Sequence, residues 1–109
     1  MKAISRGIVV TRMPLPGTAH DKEALLLAAN LLRSMGASEV FVFGSFVKGE
    51  LRPDSDIDIA VSGLPASVYF SAVSKVSDIL RRPADLVDLD DDTPMVRRLI
   101  DSGELVHVA

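Results

Sequence analysis

The chain of 109 residues contains no cysteine and no tryptophan, and it has only two histidines and one tyrosine. Without cysteine there is no disulfide, no thiolate nucleophile and no cysteine-ligated zinc or iron–sulfur site. Any metal site must therefore use oxygen or histidine ligands. The lack of cysteine also fits a reducing compartment, and we expect the protein to be cytoplasmic.

Long apolar runs are also missing. No stretch approaches the roughly 18 consecutive apolar residues of a membrane span, and the N-terminus lacks the apolar core of a signal peptide. Hydrophobic residues make up 48% of the chain and charged residues 25%, which is typical of soluble globular proteins. The length is that of one small domain, so we expect a single soluble domain and no membrane partner.

Positive charge is scarce in the second half of the chain. The net charge is -3, and residues 53–109 carry eleven acidic residues against five basic ones. Five of the acids lie close together: Asp85, Asp88, Asp90, Asp91 and Asp92. A basic surface of the kind that binds nucleic acid is missing, so nucleic acid is not an expected partner.

Hydrophobic periodicity and breaker residues predict three helices and four strands. The predicted elements are a helix at 24–35, strands at 39–43 and 56–61, a helix between 65 and 82, a strand at 85–89, a helix from 93 or 94 to 101, and a strand at 105–108. Residues 1–20 combine a β-forming run with breakers, which predicts an extended arm ahead of a single domain over 21–109. This order predicts an α/β fold in which helices pack against a small sheet of mixed direction.

The predicted strand at 56–61 begins with alternating acidic and apolar residues. Because residues two apart on a strand project from the same face, Asp56 and Asp58 can hold one cation, and an acid from a neighbouring strand at 85–89 would complete a three-carboxylate cluster. Magnesium prefers carboxylate oxygens, water and substrate phosphate, and two such ions about 3.5 to 4 Å apart assist phosphoryl transfer. Taken alone, the alternation is more often that of a solvated edge strand.

A Gly-Ser pair follows the predicted strand at 39–43. Gly44 lets the backbone approach a ligand closely, and Ser45 adds a hydroxyl to the backbone N–H groups of the turn, an arrangement that suits phosphate. On its own such a pair is usually an ordinary turn. Together with the aspartate pair downstream it indicates a phosphate-binding site.

The stretch GSFVKGELRPDSDID, in which ten residues separate Gly44-Ser45 from Asp56-Ile57-Asp58, resembles the signature of the DNA polymerase beta-like nucleotidyltransferases. The resemblance is to the minimal nucleotidyltransferase (MNT) branch, including its MntA-type antitoxins, and extends over about residues 25 to 105. It implies the polymerase beta-like fold. It also implies transfer of a nucleoside monophosphate, AMP from ATP, to a hydroxyl with release of pyrophosphate.

The resemblance implies roles for single residues. Gly44 and Ser45 would hold the nucleoside triphosphate. Asp56 and Asp58 would ligate two Mg²⁺ ions. Asp85 matches the third carboxylate, which would bind the catalytic metal and help to activate the acceptor hydroxyl.

Four other positions bear on this assignment. Asp88 is the alternative third carboxylate, on the opposite strand face, if the register is shifted. Lys48 and Arg52 could neutralise phosphate, although exposed basic residues beside a turn are as often simply solvated. Many relatives have a basic residue directly after the Gly-Ser pair, whereas this chain has Phe46, so one phosphate contact is missing.

The acceptor is not specified by these residues. Because the chain holds little beyond the catalytic core, we expect a partner to supply the rest, and the resemblance implies a small helical HEPN-type toxin that receives AMP within a toxin–antitoxin pair. The alternative is a non-catalytic antitoxin that neutralises its partner by contact. Three converging acids favour the enzyme. The helix segment 24–32 is apolar nearly all round, which predicts burial and allows for a homo-oligomer or partner contact.

Overall fold

The computed structural model describes residues 10–11, 19–49, 52 and 55–109. Its helices and strands are β1 (Val10–Thr11), α1 (Ala19–Ser34), β2 (Glu39–Phe43), β3 (Ile57–Ser62), α2 (Tyr69–Leu80), β4 (Ala84–Asp88), α3 (Pro94–Asp101) and β5 (Leu105–His107). A short 3₁₀ turn, Ala66–Val68, leads into α2. Each helix and strand that the sequence predicts is present, with ends that differ by at most five residues.

Within the described residues, the strands form one five-stranded sheet in the order β1-β5-β2-β3-β4. β2 runs antiparallel to β3 and to β5, whereas β4 pairs in parallel with β3 and β1 in parallel with β5. The parallel β3–β4 pair requires a crossover, and α2 provides it. The predicted α/β fold with a mixed sheet is confirmed.

β1 lies in the segment for which the sequence predicts an extended arm. Val10 pairs with Leu105 and Thr11 with Val106 at the edge of the sheet. The rest of that segment up to α1, residues 1–9 and 12–18, lies outside the described residues. The division into an arm over 1–20 and a domain over 21–109 stays a prediction.

Side-chain alternation along the strands separates two hydrophobic cores. The larger core lies between one face of the sheet and helices α1 and α2, and contains Val42, Ile59 and Val76. The smaller core lies on the other face, beneath α3, where Phe41 and Val96 are buried. Because successive strand residues point to opposite faces, these two cores fix which face each polar strand residue occupies.

The expectation that α1 is buried all round is wrong for two of its leucines. Leu25 and Leu32 are buried, but Leu26 is 46% and Leu27 57% exposed. A helix that packs on a sheet buries one stripe of residues and leaves the opposite side in solvent. The predicted homo-oligomer contact stays a prediction, and these two leucines are the apolar surface on α1 that it would use. None of the described helices combines the length and the apolar character that crossing a membrane requires.

A buried carboxylate lies at the start of β2. Glu39 has no exposed surface, and its Oε2 contacts Nε2 of His107 on β5. Its second oxygen, Oε1, has no hydrogen-bond partner among the described residues. The ring of His107 also packs edge-on against Phe41, with ring centroids 5.3 Å apart. Because a buried carboxylate without a donor is costly, the contact with His107 is the interaction that makes Glu39 tolerable here.

We expect His107→Ala to lower the free energy of unfolding by about 2 kcal/mol, because it leaves the buried Glu39 carboxylate without its donor. The effect stays below that of a fully buried pair since the His107 side chain is 44% exposed. Urea denaturation measures it. Adding Glu39→Gln to His107→Ala should recover part of the loss, because a neutral amide is less costly to bury. If His107→Ala alone were as stable as the wild type, this account would be contradicted.

Candidate active site

The turn that follows β2 begins at Gly44 and is held by one buried side chain. The backbone N–H of Lys48 donates to the carbonyl oxygen of Gly44 at 3.2 Å, which closes a single helical turn. Phe46 is buried in the larger core and anchors this turn, while Ser45 beside it is half-buried. The aromatic residue after the Gly-Ser pair therefore serves packing, and the position is not available for a phosphate contact.

Gly44 lies directly against Asp58. It has a φ of +74°, a value that L side chains rarely adopt. A Cβ placed on Gly44 would lie 2.1 Å from Oδ2 of Asp58 and 3.1 Å from its Cγ. Both the backbone conformation and the close approach thus require glycine here. The predicted phosphate-binding turn and the predicted metal ligand are in direct contact.

Asp58 and Asp85 are register partners in the parallel β3–β4 pair. Neighbouring strands lie about 4.8 Å apart, so the two residues are adjacent. Two residues further along each strand, Ala60 and Val87 pack in the smaller core beneath α3. By strand alternation Asp58 and Asp85 project from that same face.

Asp56 also interacts with this pair, because its negative charge acts on Asp58. Burial raises the pKa of Asp58, and the negative charges of Asp85 and Asp56 raise it further. Such mutual repulsion is what a bound divalent cation would relieve, so the donor set fits a hard metal ion such as Mg²⁺. Among the described residues, no three acidic or histidine side chains are already gathered around one point for a metal. Binding a cation would therefore require these carboxylates to turn toward it.

Asp88, the alternative third carboxylate, lies on the opposite face of β4. Its neighbour on that face, Leu86, packs against the larger core. Its Oδ1 accepts a hydrogen bond from the backbone N–H of Asp90 at 2.9 Å. On the same side, burial raises the pKa of Tyr69, and the nearby charges of Asp88 and Asp91 add to the effect. Asp88 is thus engaged in the loop after β4 and with the start of α2.

Lys48 and Arg52, the two basic residues of the motif loop, contact residues other than the site aspartates. Nζ of Lys48 lies 3.7 Å from Oε1 of Glu104, and both side chains are exposed. The Arg52 backbone is held on both sides: its N–H donates to Oγ of Ser55, and its carbonyl oxygen accepts from Arg82. The Arg52 side chain is exposed. Within the described part of the chain, neither basic side chain forms an ion pair with the site aspartates.

A cavity of about 590 Å³ opens beside Asp58 and Asp85. Helix α3 forms the wall that faces them and contributes Met95, Arg98 and Leu99. This volume lies in the range of roughly 300 to 1,000 Å³ that is usual for small-molecule sites. No local motif in the sequence tells which face of α3 lines a cavity, so this wall is not predictable from the sequence.

The family model described as Polymerase beta, Nucleotidyltransferase matches residues 28–108, from within α1 to the end of β5. The chain belongs to this nucleotidyltransferase family. The match includes the Gly44 turn and all three candidate aspartates, Asp56, Asp58 and Asp85. The family resemblance drawn from the sequence is confirmed.

Three known proteins illustrate the relationship. Protein adenylyltransferase MntA of Thermococcus cleftensis (strain DSM 27260 / KACC 17922 / CL1) is 48% identical over 44 residues, which are 40% of this chain and 37% of that protein. A solved structure of a protein described as a minimal nucleotidyltransferase has a TM-score of 0.65 and 27% identity, and the match covers 83% of this chain and 98% of that chain.

The third is a structure of tri-AMPylated Shewanella oneidensis HEPN toxin in complex with MNT antitoxin. It matches with a TM-score of 0.54 and 22% identity over 76% of this chain and 70% of that chain, a likeness of fold. The chain thus shares the fold of minimal nucleotidyltransferases, while it spans little more than a third of the length of its MntA relative.

A matched pair of glycine variants tests the contact between Gly44 and Asp58. Gly49 has nearly the same φ, +72°, but nothing lies within 4 Å of a Cβ placed there. We expect Gly49→Ala to lower the free energy of unfolding by about 1 kcal/mol through backbone strain, and Gly44→Ala to lower it further because its Cβ would also displace Asp58. Gly44→Ala alone should also lower the rate of nucleotidyl transfer, by about a hundredfold, because Asp58 must move. Urea denaturation and a transfer assay measure the two effects, and equal transfer rates in both variants would contradict the contact.

Proposed function

We propose that this chain transfers AMP from ATP to a hydroxyl group of a partner protein, with a small helical HEPN-type toxin as the acceptor. The observation that carries the proposal is the pairing of Asp58 with Asp85 on one face of the sheet, directly beside the Gly44 turn. Carboxylates that share a site suit divalent cations, and the backbone N–H groups of a glycine turn suit phosphate. The family match and the adenylyltransferase relative support the same reaction.

Asp56, Asp58 and Asp85 are the residues that would hold two Mg²⁺ ions. Burial, followed by repulsion from Asp85 and Asp56, raises the pKa of Asp58, and a bound cation would offset both effects, which supports this role. When bound, the ions would neutralise charge on the phosphates and favour displacement at the α-phosphorus. The requirement for magnesium and the number of ions are part of the proposal.

The protein's own groups would mainly position the reactants. Gly44 and Ser45 would bind the triphosphate through backbone N–H groups and the serine hydroxyl, and Asp85 would accept the proton of the acceptor hydroxyl. The acceptor oxygen forms a bond to the α-phosphorus while the bond from that phosphorus to the bridging oxygen breaks, and pyrophosphate leaves. Holding these groups in line accounts for a large part of the rate.

The choice of a protein acceptor rests on charge and on relatives. The second half of the chain is strongly acidic, which disfavours nucleic acid as the acceptor. One structure of similar fold holds a tri-AMPylated HEPN toxin with its MNT antitoxin. A cytoplasmic location belongs to the same proposal, since both partners would meet ATP there.

The proposed reaction predicts label transfer from ATP that carries a radioactive α-phosphate. With Mg²⁺ and cell lysate or a HEPN-type partner, wild type should label one protein band, and the double variant Asp56→Asn/Asp58→Asn should reduce the label by about a thousandfold or more. Asp101→Asn is the matched control, because Asp101 is exposed at the end of α3 and does not line the cavity. It should label as wild type does.

The same assay separates the enzyme from a contact antitoxin. A contact antitoxin would give no label with any of the four nucleoside triphosphates. Its double aspartate variant would still bind and neutralise the partner, which a pull-down and a growth assay measure. Absence of label with the wild-type protein, or neutralisation by the double variant equal to that of the wild type, would overturn the proposed transfer.

The two candidates for the third carboxylate can be distinguished directly. We expect Asp85→Asn to lower the transfer rate at least a hundredfold, because Asp85 shares the face and the register of Asp58. Asp88→Asn should keep most of the rate, because Asp88 lies on the other face. Steady-state transfer kinetics on both variants measure the difference. A larger loss in Asp88→Asn than in Asp85→Asn would contradict the assignment.

A further inference from the structure

The turn that would bind the triphosphate is poor in available positive charge. The position after Ser45 holds Phe46, which is buried in the core. Lys48 is paired with Glu104. A triphosphate is strongly anionic, and sites that bind it usually supply basic side chains as well as backbone N–H groups and metal ions. The turn at 44–49 thus offers Lys48 as its one basic residue, and Arg52 follows it in the loop, so a basic side chain from another element would add to the positive charge on the phosphates.

Arg98 on α3 is the basic residue in a position to supply it. It lines the cavity together with Asp58 and Asp85. The charged residues around the cavity in the described part of the chain are Asp58, Asp85, Asp88, Asp91, Glu104 and Arg98, of which Asp88 has its side chain on the opposite face of β4. Arg98 is thus the one basic residue among acidic lining residues in the described part of the chain. An arginine in this position attracts an anionic group that the acidic residues would otherwise repel.

Arg98 differs from its neighbour Arg97, which already has an acidic partner. The Arg97 guanidinium donates to Oδ1 of Asp92, with its Nε and one terminal nitrogen each 2.7 Å from that oxygen. Among the described residues, Arg98 forms no ion pair and no side-chain hydrogen bond, although five acids line the same cavity. Arg97 thus has a partner on the protein surface, whereas the Arg98 side chain is available to a ligand.

We propose that Arg98 binds a phosphate oxygen of the nucleoside triphosphate and so supplies, from α3, the positive charge that the motif turn lacks. This inference rests on the proposed nucleotidyl transfer. A guanidinium presents planar N–H donors that match phosphate oxygens, and charge-assisted bonds of this kind are among the stronger hydrogen bonds. Arg98 thereby provides, from across the cavity, the basic group that Phe46 does not offer.

Equilibrium binding tests the inference without relying on turnover. Isothermal titration calorimetry with Mg²⁺ and an ATP analogue that has a methylene group between the α- and β-phosphates compares wild type, Arg98→Gln and Arg97→Gln. We expect Arg98→Gln to weaken binding about tenfold and Arg97→Gln to bind as wild type does. Arg98→Lys should retain part of the affinity, because it keeps the charge and loses the planar donor geometry.

Adenosine separates a phosphate contact from a nucleoside contact. Its affinity should be the same in wild type and Arg98→Gln, since it carries no phosphate. The dependence of analogue affinity on salt should also be weaker in Arg98→Gln. Equal analogue affinities in the two proteins, or an equal loss for the analogue and adenosine, would overturn the inference.

The failure of this inference differs from the failure of the proposed function. If wild type neither binds the analogue nor transfers label, both are wrong. If wild type binds and transfers while Arg98→Gln binds equally well, nucleotidyl transfer stands and only the role of Arg98 is wrong. Arg98 is exposed, so Arg98→Gln should fold, and an unchanged urea midpoint confirms that a loss of affinity is local.

Discussion

The repulsion between neighbouring carboxylates is the constraint on which the site depends. Asp58 is partly buried, and its charged form is opposed both by burial and by Asp85 and Asp56. In the absence of a cation this arrangement costs stability. It persists because the β3–β4 register is fixed from both faces of the sheet, by Ile59 in the larger core and Ala60 in the smaller one. A slip of one residue would exchange those two faces, which the packing forbids.

Packing of Phe46 in the larger core holds the Gly44 turn against Asp58. Phe46 reaches into the larger core, so the backbone from Gly44 onward cannot drift from the end of β2. Gly44 then fits against Oδ2 of Asp58 with no space for a side chain. The buried aromatic residue after the Gly-Ser pair thus holds the turn in place. In the proposed site, the approach of Gly44 to Asp58 would couple the position of the phosphate to that of the metal.

Much of the fold and of the site followed from local sequence pattern. The strands at 39–43 and 84–88 and helix α3 are short segments with strong periodicity or clear caps, and these signals depend on neighbours in the chain. The Thr93 side chain, for example, caps α3 by accepting from the N–H of Val96. Alternation alone also placed Asp85 and Asp88 on opposite faces.

What sequence could not give is whatever depends on contacts between distant segments. The pairing of Asp58 with Asp85 depends on how α2 returns the chain to the sheet, and the sequence indicated it only through the family resemblance and not through any local pattern. The contact of Glu39 with His107 joins residues 68 positions apart. The exposure of Leu27 and the cavity wall at Arg98 depend on which helix face meets the sheet. None of these has a signal within a window of ten or fifteen residues.

The distribution of charge around the cavity also bears on the acceptor. Asp91 and Glu104 line it in addition to the two site aspartates, and Arg98 is part of the same lining. A triphosphate can enter because metal ions and Arg98 would offset its charge locally. An acceptor brings no such cations, so a phosphate-bearing acceptor such as a nucleic acid end would meet net repulsion. A neutral hydroxyl on a protein surface would not. The acids around the cavity would thus select against anionic acceptors.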